Sequence, residues 1–391
     1  MTDIVILSGA RTPIGTFGGT LSALPPIETA TQVSRAAIER AGIAPKLIGT
    51  VVFGHVLNTE PRDMYLSRVA AMQAGVPDSV PAMNVNRLCG SGAQAIVSAI
   101  QSLILNDASF ALAGGAESMS RAPYTIPAAR FGQKMGDAQV IDMMLGALTC
   151  PFGTGHMGVT AENVAREHGI SREDQDAFAL ESQRRAAAAI AAGHFSTEII
   201  PVEIPSRRGP VMFTTDEHPK ATSLEALQNL RPAFEKNGTV TAGNASGIND
   251  GAAALVLARS DAAHQAGLTP RAKILGYAVT GVRPDVMGIG PVPAVEALCA
   301  KTGLRVCDFD IIESNEAFAA QALAVARALG LREDQVNPDG GAIALGHPVG
   351  ATGAILVVKA LHALERRDLR RALVTMCIGG GQGIAIAIER I

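Results

Sequence analysis

Tryptophan is absent from the 391 residues, and aromatic side chains make up only 4% of them. A chain of this length has a large interior to fill, so the core has to be built from aliphatic side chains and alanine. A surplus of either charge is also missing. The net charge of −3 gives no support for a general attraction to nucleic acid. No window approaches the roughly 18 apolar residues of a membrane span. After Met1-Thr2-Asp3 the first apolar run, Ile4 to Leu7, is too short for a signal peptide. Cysteine is scarce, with five residues at 89, 150, 299, 307 and 377, odd in number and without C-x-x-C spacing. That argues against a disulfide scaffold and a structural zinc site, and makes a reducing cytoplasm the expected compartment.

Glycine is what the chain has in excess. Its 41 glycines exceed the usual share of about 7%, which implies tight turns and close helix–sheet contacts. With 48% hydrophobic and 18% charged residues, the composition is that of a soluble globular protein of two or three domains.

One stretch organises the rest, Asn86-Arg87-Leu88-Cys89-Gly90-Ser91-Gly92. Pro81 to Asn86 reads as a short strand. Ala93, Ile96, Val97, Ile100, Leu103 and Ile104 recur at helical spacing on one buried face. Cys89 therefore falls at a strand-to-helix turn, with Gly90 and Gly92 expected to let the backbone turn sharply. A thiol just ahead of a helix N-terminus is expected to have its pKa lowered from about 8.5, which would suit a nucleophile. The same stretch also fits Cys89 as a small apolar core residue.

Before it, Ile4–Leu7 reads as a buried strand, Glu28 to Ala41 as a helix stopped by Gly42, Thr50–Gly54 as a strand leading to His55, and 65–74 as a helix. After it, Phe110–Ala113 reads as a strand entering Gly114-Gly115-Ala116-Glu117-Ser118-Met119. Strands alternating with amphipathic helices predict α/β layering on a largely parallel sheet. From 120 to 247 that rhythm is lost, and much of the Arg, Lys, Met and His collects there. Ser171 with Asp174 resembles a capping box for a helix running to Gly193. This segment reads as a lid or loop domain. Gly251–Arg259 returns to a buried strand.

From Ala272 the first pattern starts again. Asp310–Asn315 falls where Val51–His55 fell, and Gly341–His347 falls where the Cys89 turn fell. His55 and Cys89 are 34 residues apart, Asn315 and His347 are 32 apart. Both halves are expected to end in a strand entering a Gly-rich turn, at Gly114-Gly115 and at Gly379-Gly380-Gly381. Two homologous halves packed together would bring these strand ends to one shared site, making His347 and Cys377 neighbours of Cys89.

Four motifs then stand in order: the Cys89 turn, Asn315-Glu316-Ala317-Phe318, Gly341 to Gly350 with Gly346-His347-Pro348, and Cys377-Ile378-Gly379-Gly380-Gly381-Gln382-Gly383. Together with Gly243-Asn244-Ala245-Ser246-Gly247 and His156-Met157-Gly158, they make the chain similar to the thiolases over nearly its whole length. These are enzymes that make or cleave β-ketoacyl-CoA thioesters. The resemblance is to the bacterial biosynthetic β-ketothiolases of fatty acid and polyhydroxyalkanoate metabolism. Glu60-Pro61-Arg62-Asp63-Met64-Tyr65 resembles a branch that also accepts slightly longer ketoacyl groups.

The resemblance implies an α/β thiolase fold, two similar βαβαβ-type halves in a layered α/β/α/β/α body plus a loop domain. Residues 1–119 form the N-terminal half, completed by 248–268. Residues 120–247 form a loop domain for CoA binding and oligomerisation, and 269–391 the C-terminal half. It also implies roles. Cys89 is the acylated nucleophile and His347 its base. Cys377 is the acid/base at the α-carbon. Asn315 holds a water that polarises the thioester oxygen, and the backbone N–H groups of Cys89 and Gly379 form a second oxyanion hole. Leu148, His156, Met157, Lys220, Phe234, Ala242, Ser246, Met287 and Phe318 are implied to hold CoA. Lys220 departs from the arginine commoner in the family, replacing a fork by a point charge on the phosphates.

CoA thioesters are substrates here, and no metal or resident cofactor is expected. The implied partners are acetyl-CoA, acyl-CoA and CoA, in a cytoplasmic homotetramer built from two dimers, without nucleic acid or membrane. Read from residues alone, Asn315 could instead cap a helix through Gln321, and His347 could be a structural histidine. Other condensing enzymes of the same fold lack a second catalytic cysteine, so Cys377 weighs against them. A silent CoA carrier and a Cys/His metal protein are rivals of other classes.

Overall fold

The computed structural model describes residues 3–206 and 209–391. The first half runs β1 (Ile4–Arg11), α1 (Pro26–Arg40), β2 (Thr50–Gly54), α2 (Leu66–Gln73), β3 (Ala82–Val85), α3 (Ser91–Ile104) and β4 (Phe110–Ser118). An intervening segment carries α4 (Met157–His168) and α5 (Arg172–Ala191), and β5 (Asn249–Arg259) then completes the half. The second half runs β6 (Ala272–Gly281), α6 (Pro291–Thr302), β7 (Ile311–Ser314), α7 (Ala319–Leu329), α8 (Thr352–Arg366), β8 (Arg371–Ile378) and β9 (Gln382–Arg390).

The repeat seen in the sequence is a repeat of topology. The large sheet has the order β3-β2-β4-β5-β1-β6-β9-β8-β7, with the two-residue strand Gly15–Thr16 attached to β5. Outward from the middle, β1-β5-β4-β2 is matched by β6-β9-β8-β7, and each series is joined antiparallel, antiparallel, parallel. Beyond β2 lies β3, paired in parallel. Beyond β7 only a single parallel bridge, Ile312 to Val336, marks the matching place. The halves meet through two residue pairs of β1 and β6, Val5 with Lys273 and Ile6 with Ala272.

Alternation along the strands decides the layers. Ile4 and Ile6 face the central core while Val5 and Leu7 face an outer cluster with α1 and α2. In the second half Ala372 and Val374 face the centre, and Leu373 packs outward with α6 residues Ala294, Val295 and Leu298. The central core takes most of its helical residues from α3 and α8, with Ala186 and Ala189 of α5, and its strands from both halves. Every residue of α8 from Thr352 to Leu364 is buried, as expected for a helix apolar all round. The order of layers is α1/α2, sheet, α3/α8, sheet, α6. Small residues make the middle layer possible. A Cβ on Gly353 would lie 2.3 Å from the Ala93 nitrogen, so α3 and α8 touch backbone to backbone.

Three expectations need correction. The sheet is mixed and antiparallel through its middle, because β5 returns beside β1 after the long segment and β8 and β9 form a hairpin. Gly114 and Gly115 lie inside β4 and make no turn. A Cβ on Gly114 would meet Ala253 O at 2.3 Å and the Phe53 ring at 2.7 Å, so the residue is small for packing. Cys377 lies within β8, and the turn after it holds Gly380 and Gly381 at φ 83° and 87°. The segment at 120–247 is more regular than its sequence suggests. Its α5 carries the predicted capping box, with Ser171 Oγ accepting from Asp174 N at 3.0 Å and Asp174 Oδ2 accepting from Ser171 N at 3.4 Å. Among the described residues no helix is long and apolar enough to cross a membrane.

Candidate active site

Cys89 stands two residues ahead of α3, on a bend that is strained at Leu88. That residue has φ 46°, an uncommon left-handed conformation for a leucine. Asn86 Oδ1 accepts the Leu88 N–H at 2.9 Å, and Ser91 Oγ donates to Leu88 O at 2.6 Å while accepting from Arg87 N at 2.9 Å. The bend is thus made at Leu88, and the glycines expected to make it serve packing. Gly90 keeps φ −83°, and a Cβ there would meet Ile378 Cδ1 at 2.5 Å; on Gly92 it would meet the Ala354 nitrogen at 2.7 Å.

The expected low thiol pKa is also corrected. Part of the residue remains exposed, yet burial of the sulfur pushes the Cys89 thiol up. The N–H groups of Gly379 and of Cys89 itself point at the sulfur and work the other way, and Glu117 adds to the rise. The helix start adds little because its first amides are occupied, Gly90 N by Arg87 O at 3.0 Å and Ser91 N by Leu88 O at 2.9 Å.

His347 is held by its backbone and by one ring nitrogen. Its backbone N–H donates to Asn249 Oδ1 at 2.9 Å, and Nδ1 lies 2.7 Å from Thr352 Oγ1. The Thr352 hydroxyl has one proton, and it goes to Pro348 O at 2.9 Å. Oγ1 is therefore the acceptor, which assigns the proton of the neutral ring to Nδ1 and leaves a lone pair on Nε2. Nε2 is buried and has no hydrogen-bond partner. Burial lowers the His347 pKa to about 4, so the ring is neutral at pH 7 and able to take a proton.

Cys377 is fully buried, and its thiol is pushed up strongly, first by burial and then by the charge of Cys89. That second cause requires the two sulfurs to be close. Asn315, at the end of β7, is buried with both side-chain amide atoms unpartnered. It caps no helix, since α7 starts three residues after Glu316 with Phe318 at its N-cap. A buried amide without partners is expensive to keep, which marks Asn315 as a group waiting for a ligand or water.

A cavity of about 490 Å3 opens beside these residues. Cys89 and His347 line it, with all nine residues expected to hold CoA: Leu148, His156, Met157, Lys220, Phe234, Ala242, Ser246, Met287 and Phe318. Asn315, Cys377 and Gly379 are not on that lining, and Asn315 instead borders a small separate cleft with Gly346 and Thr352. Cys377 belongs to the apolar cluster of Met157, Met287 and Phe318 under its wall, and the Gly379 N–H reaches the Cys89 sulfur. The aromatic wall is ordered by stacking. His156 lies parallel to Phe234 at 4.7 Å and Phe318 meets Phe234 edge-on at 6.2 Å. Sequence reading passed over Met119, His218, Ile248 and Val349 on the same lining, and Thr352 and Asn249 behind His347. Val349 and Met119 do sit inside motifs already singled out, but Thr352 and Asn249 carry no signal short of the folded contacts. Among the described residues no group of three or more His, Cys, Asp or Glu is placed to hold a metal ion.

A doubled, layered fold with a cysteine turn facing a Gly-His-Pro loop across one cavity defines the thiolase class. The family description "Thiolase, N-terminal domain" matches residues 4–261 and "Thiolase, C-terminal domain" matches 268–390. The chain belongs to the thiolase family. It is 58% identical to the β-ketothiolase BktB of Cupriavidus necator, over 100% of this chain and 99% of that protein. It is 51% identical to the acetyl-CoA acetyltransferase of Escherichia coli K12, over the full length of both. Among solved structures, the Bacillus anthracis acetyl-CoA acetyltransferase superposes with a TM-score of 0.98 at 43% identity, covering 100% of this chain and 99% of that one. Human mitochondrial 3-ketoacyl-CoA thiolase in complex with CoA gives 0.97 at 43% identity, covering 100% and 98%.

Proposed function

We propose that this chain forms and cleaves short-chain β-ketoacyl-CoA thioesters by transferring an acyl group through Cys89. The observation carrying this is the unpartnered lone pair of His347 Nε2, on the cavity that Cys89 also lines. In the first half-reaction the Cys89 proton passes to Nε2 as the sulfur bonds to the acyl carbon. The bond from that carbon to the CoA sulfur breaks, and CoA leaves with the proton from the imidazolium. The amides of Cys89 and Gly379, and a water on Asn315 with His347, are the oxyanion donors.

Acylation leaves Cys89 with no ionisable sulfur, which removes one of the two causes holding the proton on Cys377. That proton then passes to His347. The Cys377 thiolate takes an α-proton from acetyl-CoA, the carbanion bonds to the acyl carbon, and the carbon–Cys89 bond breaks as His347 returns its proton to Cys89. Run backwards, the same steps are thiolysis.

Membership of the thiolase family and the eleven expected site residues sharing one cavity support this reading. No metal or resident cofactor enters the cycle. The CoA pantetheine lies along the His156–Phe234–Phe318 wall, and the exposed Lys220 meets the phosphates. The chain works as a cytoplasmic homotetramer through the loop domain at 120–247. Five free cysteines fit a reducing compartment. Phe131 and Met135, 87% and 92% exposed, are apolar surface suited to a second copy.

Incubation with acetoacetyl-CoA and CoA should yield acetyl-CoA. Binding without turnover would make the chain a silent CoA carrier. A stable monomer in sedimentation at working concentration would contradict the tetramer.

A further inference from the structure

Glu117, one residue from the end of β4, is 1% exposed and has no lysine or arginine within ion-pair reach among the described residues. Its carboxylate is used instead by three backbone N–H groups from two distant loops. Oε1 accepts from Leu57 at 3.1 Å, while Oε2 accepts from Val56 at 3.1 Å and from Gly350 at 3.0 Å. His55, whose Nδ1 donates to Ala116 O at 2.9 Å, lies 3.5 Å from Oε1. A buried carboxylate is costly, and three N–H donors are what make this one tolerable.

The two loops belong to opposite halves of the protein, and each borders one member of the Cys89–His347 pair. Val56, Leu57 and Val349 pack in one apolar cluster with Cys89. Gly350 is three residues past His347 and is docked on the first half by both of its polar atoms. Its N–H goes to Glu117, and its oxygen occupies space that glycines leave open, lying 2.6 Å from a Cβ built on Gly54 and 2.3 Å from one built on Gly115. A Cβ on Gly350 itself would stand 2.5 Å from Glu117 Oε2. The contact is therefore close-fitting on both sides.

We propose that Glu117 is a positioning residue, whose carboxylate sets the separation of Cys89 and His347 by fastening the His347 turn of the second half to the His55–Leu57 loop of the first. It touches neither substrate nor reacting atoms. The proposal rests on the acyl-transfer reading above for its consequence, but its geometry stands without it.

Glu117→Gln tests this, because an amide has one acceptor oxygen and cannot serve donors at both Oε1 and Oε2. Misplacing a catalytic pair by a fraction of an ångström to about 1 Å predicts a fall in kcat of about ten- to a hundredfold, with KM for acetyl-CoA changed less than about twofold. Iodoacetamide labelling of Cys89 in the free chain is read in Glu117→Asp, where it should slow relative to the parent, because Glu117→Gln also removes a charge that raises the Cys89 thiol. Glu117→Asp, which keeps the charge but is one methylene short, should give a smaller loss. An unchanged kcat in Glu117→Gln overturns the proposal. A rise in KM with unchanged labelling moves Glu117 to CoA binding and also overturns it. If Glu117→Gln does not fold, Glu117→Asp carries the test, and failure of both to fold assigns Glu117 to the fold alone. A parent chain without turnover would count against the proposed function, while the labelling comparison would still read the clamp.

Discussion

Nδ1 of His347 donates to Oγ1 of Thr352 across 2.7 Å, and Thr352 passes its own proton to Pro348 O at 2.9 Å. The residue that sets the tautomer of His347 is thus the first residue of α8, five positions along the same turn. One local loop supplies both the imidazole and the group that aims it.

Thr352→Val removes the acceptor at nearly constant volume, leaving a buried Nδ1–H unpaired and the other tautomer open to the ring. The expected result is a fall in kcat of about 10- to 100-fold, with KM for acetyl-CoA little altered, and Thr352→Ser close to the parent. Steady-state kinetics on the three chains check this. A kcat for Thr352→Val equal to the parent's would remove Thr352 from the account.

Alkylation should find Cys89, and saturating acetyl-CoA should protect it. Because burial raises this thiol, labelling by iodoacetamide should be slow at pH 7 and climb above the ordinary thiol range, the reverse of a thiol activated by a helix start. His347→Ala should slow labelling further at neutral pH. Peptide mapping decides the matter: inactivation tracking a label on Cys150, Cys299 or Cys307 would refute the assignment.

Burial holds His347 and His218 at about 4 and His362 at about 3. In the unfolded chain each would titrate near 6.5, so the unfolded state binds more protons between these values. Their contribution to stability is complete above about pH 6.5 and is lost as pH falls through the folded values. His362, 5% exposed and paired with Thr197 Oγ1 at 3.0 Å, is outside the catalytic group and can be replaced. Denaturant midpoints of His362→Gln should fall less steeply than the parent's between pH 6.5 and 4. Parallel slopes would show that His362 does not titrate on unfolding.

Much of this molecule could be read locally, and the failures share one cause. Alternation along Ile4–Leu7 and the equal spacing of His55–Cys89 and Asn315–His347 report period and repeat, which survive in one dimension. The left-handed Leu88, the packing roles of Gly90, Gly92 and Gly114, and the antiparallel middle of the sheet depend on residues far away in sequence. So do the partners of Glu117, more than 200 positions apart at Gly350. The cysteine pKa failed because burial of the sulfur, which is known only once the chain is folded, outweighs the local helix start. Motif resemblance found residues that line the cavity; it assigned no role to Thr352, Asn249 and Glu117, which hold the Cys89 and His347 loops from behind.

The two cysteines should separate experimentally. Cys89 faces the cavity, whereas Cys377 is buried behind it with its thiol held protonated by burial and by Cys89. If Cys89 carries the acyl group and Cys377 moves only the α-proton, each substitution breaks a different half of the cycle. Cys377→Ala should still take an acetyl group from acetyl-CoA and exchange labelled CoA into it, since that step uses Cys89, His347 and the oxyanion donors. Its condensation and thiolysis should fall by at least the ~10²–10⁴-fold typical of a lost general acid/base. Cys89→Ala should lose exchange and condensation together. Removing the Cys89 sulfur should also let the Cys377 thiol titrate at lower pH, because one of the two causes of its rise is gone. Suppose instead that folded Cys377→Ala loses exchange as completely as Cys89→Ala. Then Cys377 takes part in acylation itself, or the two thiols act as one coupled unit whose effects cannot be divided between them.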